Sequence, residues 1–461
     1  MRTHCAIAIA IAVVTSPVAH AQPLVTPERP DARAPRDPAN SAHCEWGATP
    51  HAHEAPTRGG VPGVSTTLVL NGDPSNRIDL VIVGDGYTAS ELGLFAEHAQ
   101  RGVDDLFSIM PFSEYASLFN VHRVDVISNE SGVDGDPTRD IERDNALGMS
   151  FWCGGTQRLL CANTLAVRQA ADNAPDWDQV FAVANSTTYG GAGYTSQNIG
   201  TYAGGNGSAA QVAIHELGHS LGDLADEYTY GGPAEYTGPE PSAANVSVLN
   251  AAQMQAQGAK WSAWIGENDA EFDGLVDTFE GGNYSPEGIY RPSSNSMMRN
   301  LGREFNLPSA EALIIEMWQT VQPIDQHTST ALPVSRGATL EVVPVAPFLS
   351  VRWYVNGAYS GAARTLRLSS LALPTAESTV EAVVMDLTPL VRDEDARELY
   401  MTQRVSWTLV NDPSDVSGDG VVDATDLAIL IAAFDTPAID LDGDGVCTSS
   451  DIAFLLAAWD K

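Results

Sequence analysis

Positive charge is scarce in this chain: Lys and Arg total 24 against 59 Asp and Glu, a formal net charge of −35 over 461 residues. That balance argues against nucleic acid and anionic membranes as partners and favours oxygen-seeking cations. Long apolar runs are missing as well. Nothing beyond the first 21 residues approaches the roughly 20 unbroken apolar residues that a membrane helix requires, so a chain that is not membrane-embedded is expected. Cysteine is sparse, with five in all. What is present is enough apolar material, 44% of residues, for real cores, in a length that suits two to four domains.

The first residues point to export. Arg2 precedes an apolar run from Cys5 to Val14, and Ala19-His20-Ala21 offers small residues at the positions a signal peptidase reads, so residues 1–21 are expected to be a cleaved signal and the protein secreted or held at a cell surface. Cys44, Cys153, Cys161 and Cys447 then remain. In an oxidising compartment the close pair Cys153 and Cys161 is the disulfide candidate, while Cys44 and Cys447 have no evident partner.

Residues 22–63 are rich in Pro, Ala, Arg and Gly without periodicity and read as a linker or propeptide remnant. From Val64 to Asp325 the pattern is α/β. Ile78–Val83 and Gln179–Ala184 are buried-strand runs and Phe119–Ile127 alternates like a strand. Ala89–Met110 and Leu160–Ala174 have helical spacing, and Tyr189–Gly207 reads as a glycine-rich loop or edge. Residues 326–410 hold short β-rich runs separated by turn signals such as Asn356-Gly357, which fit an immunoglobulin-like β-sandwich. Residues 411–461 form an internal repeat.

The chemistry concentrates in the helix expected from Gln211. His215 and His219 are four residues apart, so on a helix their rings lie one turn above the other and can grip one zinc ion. Glu216 lies about 100° round the helix, placed to act on the attacking water without being a ligand. Ile214, Leu217, Leu221 and Leu224 supply an apolar back face. Zinc needs a third protein ligand with one position left open. A continued helix would carry Asp226 about 10 Å too far along the axis, so a left-handed Gly222 is expected to end the helix and return Asp226 or Glu227 to the metal.

His215 to Tyr228, together with Val83–Thr88, Phe119–Val121, Ser128–Gly132 and Cys153–Cys161, resembles the M64 peptidases, the group named for immunoglobulin A peptidase. The resemblance covers about residues 64–325. It implies a metzincin-like zinc peptidase domain with a methionine turn beneath the metal, for which Arg291–Met298 offers Met298 or Met297. The implied reaction is peptide hydrolysis of a protein or peptide substrate, with Glu216 as general base. Tyr228, Tyr290 and Arg299 are candidate transition-state stabilisers.

In the C-terminal repeat, Asp415, Ser417, Asp419, Val421, Asp423 and Asp426 occupy the ligand positions of a calcium loop around Gly420. Asp440, Asp442, Asp444, Val446, Thr448 and Asp451 repeat the scheme around Gly445, so two structural calcium ions are expected. Residues 411–461 contain 11 Asp, no Glu and one cation, Lys461, a net −10 whose self-repulsion predicts folding only with calcium. This duplicated unit resembles a type I dockerin. The resemblance implies docking to a cohesin-like receptor, the competing reading being a calcium-stiffened cap without a partner. For the chain as a whole, the alternatives to a peptidase are a surface-binding protein with a degenerate peptidase domain and a zinc amidase.

Overall fold

The computed structural model describes residues 24–25, 60–371, 378–410 and 412–459. The expected signal, Cys44 and most of the expected linker lie outside the described residues. Within that linker Leu24–Val25 nevertheless pairs antiparallel with Ile324–Thr328, so part of the stretch joins a sheet.

A six-stranded sheet organises the first domain. Its strands are β1 (Val64–Val69), β2 (Ile78–Asp85), β3 (Phe119–Asp125), β4 (Gln179–Ala184), β5 (Gly191–Tyr194) and β6 (Ile199–Ala203), in the spatial order β1-β3-β2-β4-β6-β5. Every residue of β2 and β4 is buried, which is why their sequences read as continuous apolar runs rather than alternating ones. The central four strands are parallel, and β1 and β5 are antiparallel edges. Tyr189–Gly207, expected as a loop or edge, holds the edge strand β5 and its inner neighbour β6; small residues let β5 lie close to β6, since a Cβ at Gly191 would fall 2.4 Å from Thr201 O.

Three helices accompany the sheet: α1 (Leu92–Leu106), α2 (Thr164–Ala171) and α3 (Ala210–Ser220). Helix α1 is shorter than the expected Ala89–Met110 and buries Phe95, Ala99, Val103 and Leu106 along one face. Helix α2 starts at Thr164 rather than Leu160 because the Asn163 side chain caps it, accepting from Leu165 N at 3.1 Å and Ala166 N at 3.3 Å.

Beyond Val321 the chain forms a five-stranded sheet and three strands of a four-stranded one, whose fourth strand is Leu24–Val25. Trp407 of the five-stranded sheet is buried and donates to Thr328 O of the other sheet at 2.9 Å, so the two share one core. A helix, Glu394–Tyr400, interrupts this β region. It is capped by the Asp393 side chain, which accepts from Ala396 N at 2.9 Å. The β region is fused to the first domain through buried polar contacts. Asp386 accepts from Tyr115 Oη at 2.7 Å and Trp318 Nε1 at 3.0 Å, while Asp325 takes a two-pronged ion pair from Arg77, both contacts at 2.8 Å.

The last segment has two short helices, Ala424–Ala432 and Ser449–Ala458, around Leu430, Leu455 and the free, buried Cys447. Among the described residues no helix is long and apolar enough to cross a membrane.

Candidate functional site

Helix α3 buries Ala213, Ile214 and Leu217 in the core and turns His215, Glu216 and His219 the other way. Its end differs from expectation. Gly222 is not left-handed; Asp223 is, with φ 52°. Glycine is needed at 222 for space, because a Cβ there would meet Gly218 O and the Leu313 side chain at 2.8 Å. The left-handed turn at Asp223 brings Leu224 O under His219 and Asp226 up to both rings.

Three ligand atoms converge there. His215 Nε2 lies 3.0 Å from Asp226 Oδ1, His219 Nε2 lies 3.3 Å from the same oxygen, and the two Nε2 atoms are 3.2 Å apart. The second nitrogen of each ring fixes its tautomer: His215 Nδ1 donates to Met297 O at 3.0 Å and His219 Nδ1 donates to Leu224 O at 2.6 Å. A carbonyl can only accept, so the neutral rings present lone pairs from Nε2 toward each other and toward a carboxylate oxygen. Three acceptors facing one point call for a cation. Tetrahedral zinc with nitrogen ligands near 2.0–2.1 Å puts ligand atoms about 3.3 Å apart, and the observed triangle has that size.

The electrostatics agree. Burial opposes charge on the cluster, yet His219 and His215 outweigh it and hold Asp226 well below the usual carboxylate range. His219 is correspondingly raised to about 9, against its own burial, by Asp226. A divalent cation would take over that positive charge and leave both rings neutral.

Glu227 is elsewhere. Its buried carboxylate accepts from Ser296 Oγ at 2.6 Å, Asn306 Nδ2 at 2.9 Å and Asn245 Nδ2 at 3.0 Å, a network that includes neither histidine. Of the two acidic residues, the fold brings Asp226 to the pair. The second oxygen of Asp226 accepts from Tyr284 Oη. Sequence reasoning missed Tyr284: it lies 58 residues away, in the turn between Phe279–Gly282 and Ser285–Arg291, and only the glycine-asparagine run before it hints at a turn.

Glu216 opens onto a cleft of about 830 Å³. Its Oε2 has no hydrogen-bond partner among the described residues. It lies under Gly193 of β5, where a Cβ would come within 1.8 Å of that oxygen. Burial raises its pKa, with His219 and His215 pulling the other way. Met298 packs beneath the helix, its Sδ at 2.7 Å from where a Cβ on Gly218 would stand, and Met297 supplies the carbonyl that holds His215. Tyr228 lines the cleft, stacked on Tyr230 with 4.5 Å between ring centroids. Arg299 also lines it while donating to Glu227 O at 3.1 Å. Tyr290 is not among the lining residues; its backbone pairs with Ser247. Cys153 and Cys161 are joined in a disulfide beside this cleft.

In the C-terminal segment, carboxylates of Asp415, Asp419 and Asp426 come within 4.8 Å of one another, as do those of Asp440, Asp442 and Asp451. Gly420 and Gly445 make the sharp turns with φ 93° and 94°. The remaining candidates serve the loops locally: Asp423 and Thr448 cap the two helices, Asp444 accepts from Val446 N at 3.0 Å, and Ser417 Oγ donates to Asp415 at 3.2 Å. Val421 and Val446 expose their side chains, as residues contributing only a backbone carbonyl would. Oxygen-only donor sets in duplicate loops suit calcium.

Residues 66–271 match the family model described as IgA Peptidase M64, and residues 413–458 match the Dockerin type I domain. No curated protein matches the chain. The helix and its histidines fall within the first match and both acidic loops within the second, so this is a multidomain chain with an M64 peptidase domain and a type I dockerin domain.

Proposed function

We propose that this is a secreted zinc metalloendopeptidase in which His215, His219 and Asp226 hold the metal and Glu216 is the general base. On this reading residues 1–21 are the signal and 64–325 a metzincin-like peptidase domain with Met298 in the methionine turn. Residues 326–410 are an immunoglobulin-like sandwich, and 411–461 a module that binds two calcium ions and docks to a cohesin-like receptor. The observation that carries the proposal is the convergence of three acceptor atoms, 3.0 to 3.3 Å apart, one residue from a carboxylate that opens onto the cleft.

Zinc held there supplies Lewis acidity toward a scissile carbonyl and an attacking water. The chain's own residues do the rest. Glu216 Oε2, unpartnered, accepts the proton of the water and returns it to the leaving amine; burial, which raises its pKa, suits a group that must both take and give a proton. Gly193 keeps the space above that carboxylate clear, and the edge of β5 beyond Gly191, whose N–H and carbonyl already pair with Arg158 and Leu160, offers backbone groups to an extended peptide. Tyr228 lines the cleft as the candidate to stabilise charge on the scissile oxygen.

The test is cleavage of an unstructured protein by the purified chain alongside its zinc content. Glu216→Gln should retain one zinc per chain and lose activity by about 10²- to 10⁴-fold, the range general bases contribute. Undiminished activity in that variant would sink the assignment; zinc binding without any cleavage by the unaltered chain would favour a binding protein instead.

A further inference from the structure

The cleft has a charge opposite to that of the molecule. In a chain of net charge −35, the residues lining it include two arginines, Arg158 and Arg299, and one carboxylate, the general base Glu216 itself. Arg299 is tied to the cleft wall through Glu227 O. Arg158 is exposed, and its guanidinium has no hydrogen-bond or ion-pair partner among the described residues.

The position of Arg158 is fixed by its backbone. Its carbonyl accepts from Gly191 N at 3.1 Å, which pins the residue to the start of β5, and the Cys153–Cys161 disulfide closes the loop that carries it. Glu216 lies beneath Gly193, two residues further along the same strand. At about 3.3 Å per strand residue the offset between the two is about 7 Å, the span of two residues of an extended peptide laid along β5.

We propose that Arg158 reads a carboxylate on the substrate within about two residues of the scissile bond, borne either by an Asp or Glu side chain or by a free C-terminus. The guanidinium fork matches a carboxylate with two parallel hydrogen bonds. An acidic surface elsewhere does not preclude this, because charges are screened over about 8 Å at physiological ionic strength, so recognition is local. This inference rests on the peptidase reading.

The experiment compares cleavage by the full chain of peptides bearing Asp or Asn, and Glu or Gln, at each position around the cut, each with a free or amidated C-terminus. The acidic form should be preferred by about 10- to 100-fold in kcat/KM at one position, in line with a charge-assisted hydrogen-bonded pair. Dependence on the free terminus instead of a side chain identifies the other source of the carboxylate. Arg158→Gln should bring the ratio near one, Arg158→Lys should keep part of it, and Arg158→Glu should reverse it toward Lys-bearing peptides. Equal cleavage of acidic and amide peptides by the unaltered chain, or a preference that survives Arg158→Gln, overturns the inference and leaves the peptidase reading standing. Failure of the unaltered chain to cut any peptide overturns both.

Discussion

At the histidine cluster two of the three ligands are held from behind by groups brought in by tertiary structure. Met297 O steadies His215 and Tyr284 Oη steadies Asp226, while Leu224 O, five residues on, steadies His219 through the turn at Asp223. In the acidic loops the partners are neighbours: Asp415 accepts from Gly418 N and Gly420 N at 2.8 Å, and Asp426 from Ser417 N and Asp423 N at 2.8 Å. The first arrangement sits on a helix packed into the domain core. The second crowds like charges around a core of three fully buried residues. A preorganised site survives without its ion, whereas a local, self-repelling one depends on its ion to fold.

Chelation should expose this contrast most strongly. Removing calcium should abolish most of the helical circular dichroism of residues 411–461 and restoring it should recover the signal, while zinc removal should leave the melting of the peptidase domain little changed and eliminate cleavage. Helicity that does not respond to calcium would erase the distinction. Next in size is Asp226→Asn. Loss of a direct ligand should weaken zinc binding beyond the roughly 10- to 100-fold that an outer contact costs, as measured by competition with a chromogenic chelator.

Its neighbour should behave differently. Glu227→Gln can keep an amide oxygen on Asn245 and Asn306 but turns an NH2 donor toward the Ser296 hydroxyl, so it should cost about 1–3 kcal/mol of stability in denaturant titration while zinc affinity stays close to that of the unaltered chain. The smallest effect is expected for Tyr284→Phe. It removes only the hydrogen bond behind Asp226 and should reduce zinc affinity by about 10-fold, the lower end for such contacts.

The same contrast explains what could be read from the chain alone. Both acidic loops lie within 12-residue windows whose spacing is dictated by the loop itself, so the three carboxylates that cluster in each are legible. His215, Glu216 and His219 are legible because helical periodicity places them. The third ligand is not, because its place depends on a left-handed Asp223 and on Asn245, Ser296 and Asn306 claiming Glu227. Gly222 misled for a physical reason: glycine serves close packing as well as unusual φ, and here a Cβ would strike Leu313. β5 escaped as a strand because Gly191–Tyr194 has no β-branched residue, though this edge is what carries Gly193 to Glu216. Tyr284 and Arg158 reach the cleft from loops whose course no local pattern specifies.

Diffraction data from zinc-loaded crystals, collected on either side of the zinc absorption edge, would show whether His215, His219 and Asp226 form one zinc site. A single strong anomalous peak is expected in the peptidase domain, bounded by the two Nε2 atoms and an Asp226 oxygen. A peak beside Glu227, or none within reach of the histidines, would contradict it.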